Sequence, residues 1–83
     1  MDEDAFYRAL GAALRRRRIQ LGLTQEKVAT ELRGRGYPCT AVAIVHYEKG
    51  RRRLFAHRLP VIAKVLQTSV DALLREGTDE CKA

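Results

Sequence analysis

The chain has 83 residues, 46% of them hydrophobic and 31% charged, which suits one compact domain and not a disordered segment. It carries a net charge of +6 but begins with three acids (Asp2, Glu3, Asp4), where a secretory leader would be basic. The longest stretch free of Lys, Arg, Asp and Glu, residues 36–47, is too short and too polar to cross a bilayer, so a soluble, cytoplasmic protein is expected.

The position of the charge says more than its sum. Residues 5–58 hold thirteen Lys and Arg against three acids, while residues 59–83 hold three against four. A cationic excess confined to one part of the chain fits a polyanionic partner, either nucleic acid or an anionic membrane surface. A plain solvated face is the competing reading. Cys39 and Cys81 stand at no metal-ligand spacing, one in a turn and one near the end, and read as free thiols. No metal or cofactor is expected.

No run alternates as a strand would, and there is no internal repeat. The punctuation instead marks five short helices. The first follows the acidic start, whose carboxylates favour a helix N-terminus; its apolar stripe is Phe6, Leu10, Ala13, Leu14 and Leu21, and Gly22 stops it. Thr24 is placed to cap a second helix with Val28, Ala29 and Leu32 on one face. Arg33-Gly34-Arg35-Gly36-Tyr37-Pro38 reads as a connector, since two glycines and a proline cannot sustain a helix. Thr40 can cap a third helix over Ala41–Lys49, with Gly50 just beyond it. After Arg51-Arg52-Arg53 a fourth helix opens near Leu59 with Pro60 in its first turn, burying Leu59, Ile62, Ala63 and Leu66. Ser69 caps a fifth, with Val70, Leu73 and Leu74 inward, and the chain is expected to fray from about Glu76.

Three blocks carry a resemblance: Arg17-Arg18-Ile19-Gln20-Leu21-Gly22-Leu23-Thr24-Gln25-Glu26-Lys27-Val28-Ala29, then Ile44-Val45-His46-Tyr47-Glu48-Lys49-Gly50, then Leu59–Leu66 with Ser69–Leu74. In this order and spacing they resemble the phage repressor and Cro-like helix-turn-helix family over roughly residues 10–74. The resemblance implies an all-α, compact five-helix bundle of the lambda-repressor-like type, with an extended turn before the recognition helix. Residues 1–75 would form the DNA-binding domain and residues 76–83 a polar C-terminal tail. It further implies double-stranded DNA as partner and a homodimer on an inverted-repeat operator, with Leu73, Leu74 and Arg75 near the dimer contact.

Roles for individual residues follow from the same resemblance. Phosphate contacts fall to Arg17, Thr24 and Gln25 around the start of the second helix, and to Arg51, Arg52, Arg53 and Arg58 after the third. Arg18 and Glu48 match positions that form an ion pair between the first helix and the recognition helix. Glu48 also lies within about 40° of Ile44 on a helical wheel, so it faces inward and needs a partner. Base reading falls to Ala41, Val42, Val45, His46 and Lys49.

Two departures from the family stand out. The turn before the recognition helix is about five residues longer than usual, and Arg33 and Arg35 within it either reach a phosphate or belong to a mobile loop. The outward face of the recognition helix carries valines where amides and guanidiniums are usual. Either Ala41, Val42 and Val45 meet thymine methyl groups, with His46 and Lys49 as polar contacts, or base reading is sparse and the strip meets a protein. At the level of function, a transcriptional regulator, most simply a repressor, leads. An antitoxin-like module that also binds a partner protein and a non-specific nucleic-acid binder are the rivals; nothing in the chain marks an enzyme.

Overall fold

The computed structural model describes residues 2–54 and 56–82, and side chains as far as Glu76. Five α-helices follow one another: α1 Glu3–Gln20, α2 Gln25–Gly34, α3 Ala41–Glu48, α4 Leu59–Val65 and α5 Val70–Lys82. A single turn of 3-10 helix, Ala56–Arg58, leads into α4. No strand occurs among the described residues.

The helix starts are capped where the sequence places short polar side chains. Asp2 accepts the Ala5 N–H, Thr24 that of Lys27, Thr40 that of Ala43 and Ser69 that of Ala72, at 2.6 to 3.1 Å. The ends of α1 to α4 close with the same paired bonds from two N–H groups beyond the helix to carbonyls in its last turn, as in Gly50 to Tyr47 and Arg51 to His46. Gly50 takes φ +71° for this and also lets the backbone of Arg8 approach; a Cβ there would stand 2.6 Å from the Arg8 Cα. At the end of α4 the same left-handed position is held by Gln67, at φ 54°.

The helices enclose one core of Leu10, Ala13, Leu14, Val28, Ala29, Leu32, Ile44, Tyr47, Ile62, Ala63, Leu66 and Leu73. Leu66 and Leu73 are the most completely covered large side chains, at 2% and 1% exposure. Packing of this kind supplies most of the stability of a small helical domain, since isolated helices of these lengths are marginal in water. α1 lies along α5 and crosses α3, where Gly11 packs directly on the last carbonyls of α3.

Three expectations change. α2 continues through Arg33 and Gly34, because neither residue breaks a helix by itself; the connector is residues 35–40. α5 runs on to Lys82, past the end expected near Glu76, where Arg16 of α1 stands 3.8 Å from the Glu76 carboxylate. The expected polar tail therefore has a helical backbone, while its side chains, Cys81 among them, lie outside the described residues. Leu73 is core and does not reach the surface, so it is no candidate for a dimer contact; Arg75 is exposed and pairs with Asp71.

Candidate nucleic-acid interface

The eight residues of α3 divide sharply. Ala43, Ile44, Tyr47 and Glu48 are buried, which turns the other side outward. Val42 is 63% exposed, Lys49, just past the helix end, is exposed, and Ala41, Val45 and His46 are half-buried. The five residues expected to read bases thus share one face, i, i+1, i+4, i+5 and i+8 from Ala41. It is apolar at its N-terminal end and polar at its C-terminal end.

Arg18 and Glu48 hold this helix against α1. Arg18 Nε donates to Glu48 Oε2 at 2.6 Å and a terminal nitrogen donates to Oε1 at 3.1 Å, while the third donates to the Leu23 carbonyl at 2.9 Å. The side chains are 12% and 4% exposed, so the carboxylate is buried with its charge matched and both oxygens bonded. The Gln25 amide nitrogen also donates to Glu48 Oε1, at 3.1 Å. One carboxylate therefore ties α1, the α1–α2 turn and α2 to the last turn of α3.

Around the α3 face lie two cationic or N–H-rich elements. At the start of α2, the Thr24 hydroxyl accepts the Lys27 N–H, and the N–H groups of Gln25 and Glu26 have no partner within the helix. Beyond α3, Arg51 and Arg52 are exposed, with no ion-pair partner among the described residues. Arg53 is exposed too, but its guanidinium sits 3.0 Å from Glu3 at the start of α1.

Three of the residues expected at phosphates have partners within the fold. Arg17 is engaged by α4: Nε donates to the Leu66 carbonyl at 2.8 Å and a terminal nitrogen to that of Gln67 at 2.9 Å, so it closes the end of α4. The signal was present, since Arg17 follows Leu10 by seven residues and so shares its inward face. Gln25 gives one of its two amide N–H groups to Glu48, which leaves the other and the backbone N–H for an anion. Arg58 donates to the Pro38 carbonyl at 3.3 Å and the Tyr47 hydroxyl at 3.2 Å, with Nε buried.

The residues of the extended turn also behave differently from the expectation. Arg33 belongs to α2 and not to the loop: its side chain, still 44% exposed, donates to the Cys39 carbonyl at 2.7 Å and to Glu26 and Thr30 on its own helix. Arg35 is exposed. Cys39 is a buried free thiol, and its burial pushes the thiol pKa up, against the opposing pull of Arg58 and Arg33. Such a thiol is held in its neutral form and acts as a small apolar side chain. No group of three or more His, Cys, Asp or Glu stands where it could hold a metal among the described residues, and no described helix is long and apolar enough to cross a membrane.

A family model described as a helix-turn-helix domain matches residues 9–76. The chain belongs to the helix-turn-helix domain family. In this helix-turn-helix domain α2 and α3 are the two helices of the motif, and residues 35–40 are its lengthened turn. Solved structures agree in fold. Two of the clp gene regulator ClgR from Corynebacterium glutamicum are 27% and 28% identical, with TM-scores of 0.84 and 0.80; they cover 93% and 89% of this chain and 77% and 88% of their own. The DNA-binding domain of BldD is 33% identical with a TM-score of 0.72, covering 88% of this chain and 97% of that one. No curated protein sequence matches the chain significantly.

Proposed function

We propose that this helix-turn-helix chain is a DNA-binding transcriptional regulator that places α3 in the major groove of operator DNA. The observation that carries the reading is the exposed face of α3, fixed by the Arg18–Glu48 pair and bordered by the α2 N-terminus and the Arg51–Arg52 loop. ClgR is named a gene regulator and the BldD domain a DNA-binding domain, which supports the same assignment. Thr24, the backbone N–H groups of Gln25 and Glu26, Arg51 and Arg52 grip phosphates and set register. Ala41, Val42 and Val45 contact thymine methyl groups, and His46 and Lys49 add polar contacts to base edges.

The protein acts in the cytoplasm by binding rather than catalysis, as a homodimeric repressor on an inverted repeat. Two copies of α3 would then enter successive major grooves about 34 Å apart. The test is binding to duplex DNA across a range of salt concentrations. Affinity should fall steeply as salt rises, and replacing both Arg51 and Arg52 with Ala should lower the slope of log affinity against log salt by about 2 on any sequence. Salt-independent binding, or no binding to duplex DNA at low salt, contradicts the proposal.

A further inference from the structure

The turn between α2 and α3 spans residues 35–40, and six residues of unsupported chain would let the recognition helix sway. The turn is instead fastened along its length. At its start the Gly36 and Tyr37 N–H groups bond back to the Arg33 and Leu32 carbonyls, both at 3.0 Å. In its middle the Pro38 carbonyl accepts from Arg58, and the Cys39 carbonyl accepts from Arg33. The Tyr37 ring stacks on His57, with centroids 6.3 Å apart and planes at 29°. At its end Thr40 caps α3.

The two arginines come from opposite sides. Arg33 belongs to α2, where Glu26 and Thr30 fix its guanidinium before it reaches the turn. Arg58 belongs to the 3-10 turn before α4 and also donates to the Tyr47 hydroxyl, so it joins the turn to α3 itself. Its Nε is buried, which leaves that part of the guanidinium out of reach of a phosphate. Ala41 and Val42 begin two residues beyond Cys39, so movement of the turn carries them with it.

We propose that Arg33 and Arg58 are positioning residues that set how the recognition helix enters DNA, by bracing the lengthened turn from α2 and from the 3-10 turn. This rests on the proposed reading of DNA by α3. A displaced recognition helix still lies on the same phosphates but presents Val42 and Val45 to the wrong base edges. Loss of the braces therefore lowers sequence discrimination and spares general affinity.

The experiment measures affinity for the duplex preferred by the wild-type protein and for a random-sequence duplex of equal length, each across a salt series. Arg33→Gln and Arg58→Gln are each expected to lower the ratio of the two affinities about tenfold, on the scale of one mismatched base pair, with random-duplex affinity kept within about twofold. Both bonds of Arg58 come from one terminal nitrogen, Nη1; Arg58→Lys keeps the charge but its stem ends one bond short of that position, so it should not restore the ratio. Tyr47→Phe removes one acceptor alone and should lower the ratio by about threefold, on the scale of one weakened contact; it keeps the test open if the arginine variants melt. Two outcomes overturn the proposal: an unchanged ratio in the folded variants, or equal weakening on both duplexes with a salt slope reduced by about 1, the mark of a phosphate contact. A wild-type protein with no preferred duplex overturns the underlying DNA-reading assignment, and this inference with it.

Discussion

Arg18 and Glu48 meet across 30 residues of sequence through two hydrogen bonds, of 2.6 and 3.1 Å, with both side chains largely shielded from water. A buried pair of this kind adds little over well-packed apolar residues, yet breaking it leaves one charge stranded. Arg18→Met should therefore destabilise the fold by about 3 kcal/mol, while Arg18→Met with Glu48→Leu should recover most of that loss. Urea denaturation of the single and double variants checks the pair. A single variant as stable as the parent would show that water reaches Glu48 at no cost.

At Gly11 the backbone of α1 packs directly against that of α3. A Cβ there would stand 2.6 Å from the Glu48 carbonyl oxygen and closer still to that of Tyr47. Two effects oppose each other in Gly11→Ala. Alanine favours a helix by about 1 kcal/mol, whereas separating two packed backbones costs roughly 1–3 kcal/mol. Because the obstruction is backbone, which yields less than a side chain, the clash wins. Thermal melting should show a lower midpoint, and the damage should fall on α3 and thus on DNA binding.

Gln67 offers the opposite case. Its φ of 54° strains any residue with a Cβ, and its carbonyl is held there by Arg17 at 2.9 Å. Gln67→Gly keeps the carbonyl and removes the strain, for a net gain of about 0.5–1 kcal/mol after the extra freedom of glycine in the unfolded chain. The readout is a raised denaturation midpoint with unchanged DNA affinity.

Three exposed arginines after α3 are not equivalent. Arg52 has no ion-pair partner among the described residues, whereas Arg53 lies 3.0 Å from Glu3. In titrations at fixed salt, Arg52→Ala should weaken binding to every duplex more than Arg53→Ala does. Glu3→Gln, which releases Arg53 for phosphate, should tighten binding to every duplex and steepen the salt slope by up to about 1. Equal losses from the two alanine variants, with no gain from Glu3→Gln, would show that the surface pair is broken in solution.

Much of this fold can be read from local signals. Thr24, Thr40 and Ser69 announce helix starts, Gly22 and Gly50 announce stops, and the residues between supply apolar faces at helical spacing. Glu48 on the inward side of α3 similarly demanded a cation. The arginines were harder because a long side chain ends far from its own backbone, and its partners are carbonyls brought near only by the fold. Arg17 and Arg33 carried a faint clue, standing seven residues after Leu10 and four after Ala29 on buried faces. Arg58, in a connector without periodicity, carried none. At Gly11 nothing local reveals that another backbone lies against it.

On the proposed function, the exposed face of α3 reads DNA sequence. This is tested most directly by selecting bound duplexes from a random pool with the purified chain. The expected result is enrichment of an inverted repeat with half-sites about one helical turn apart, including thymines whose contribution changes when Val42 is replaced by Ser. Recovery of no enriched sequence, with affinity at fixed salt indifferent to the duplex used, would contradict it.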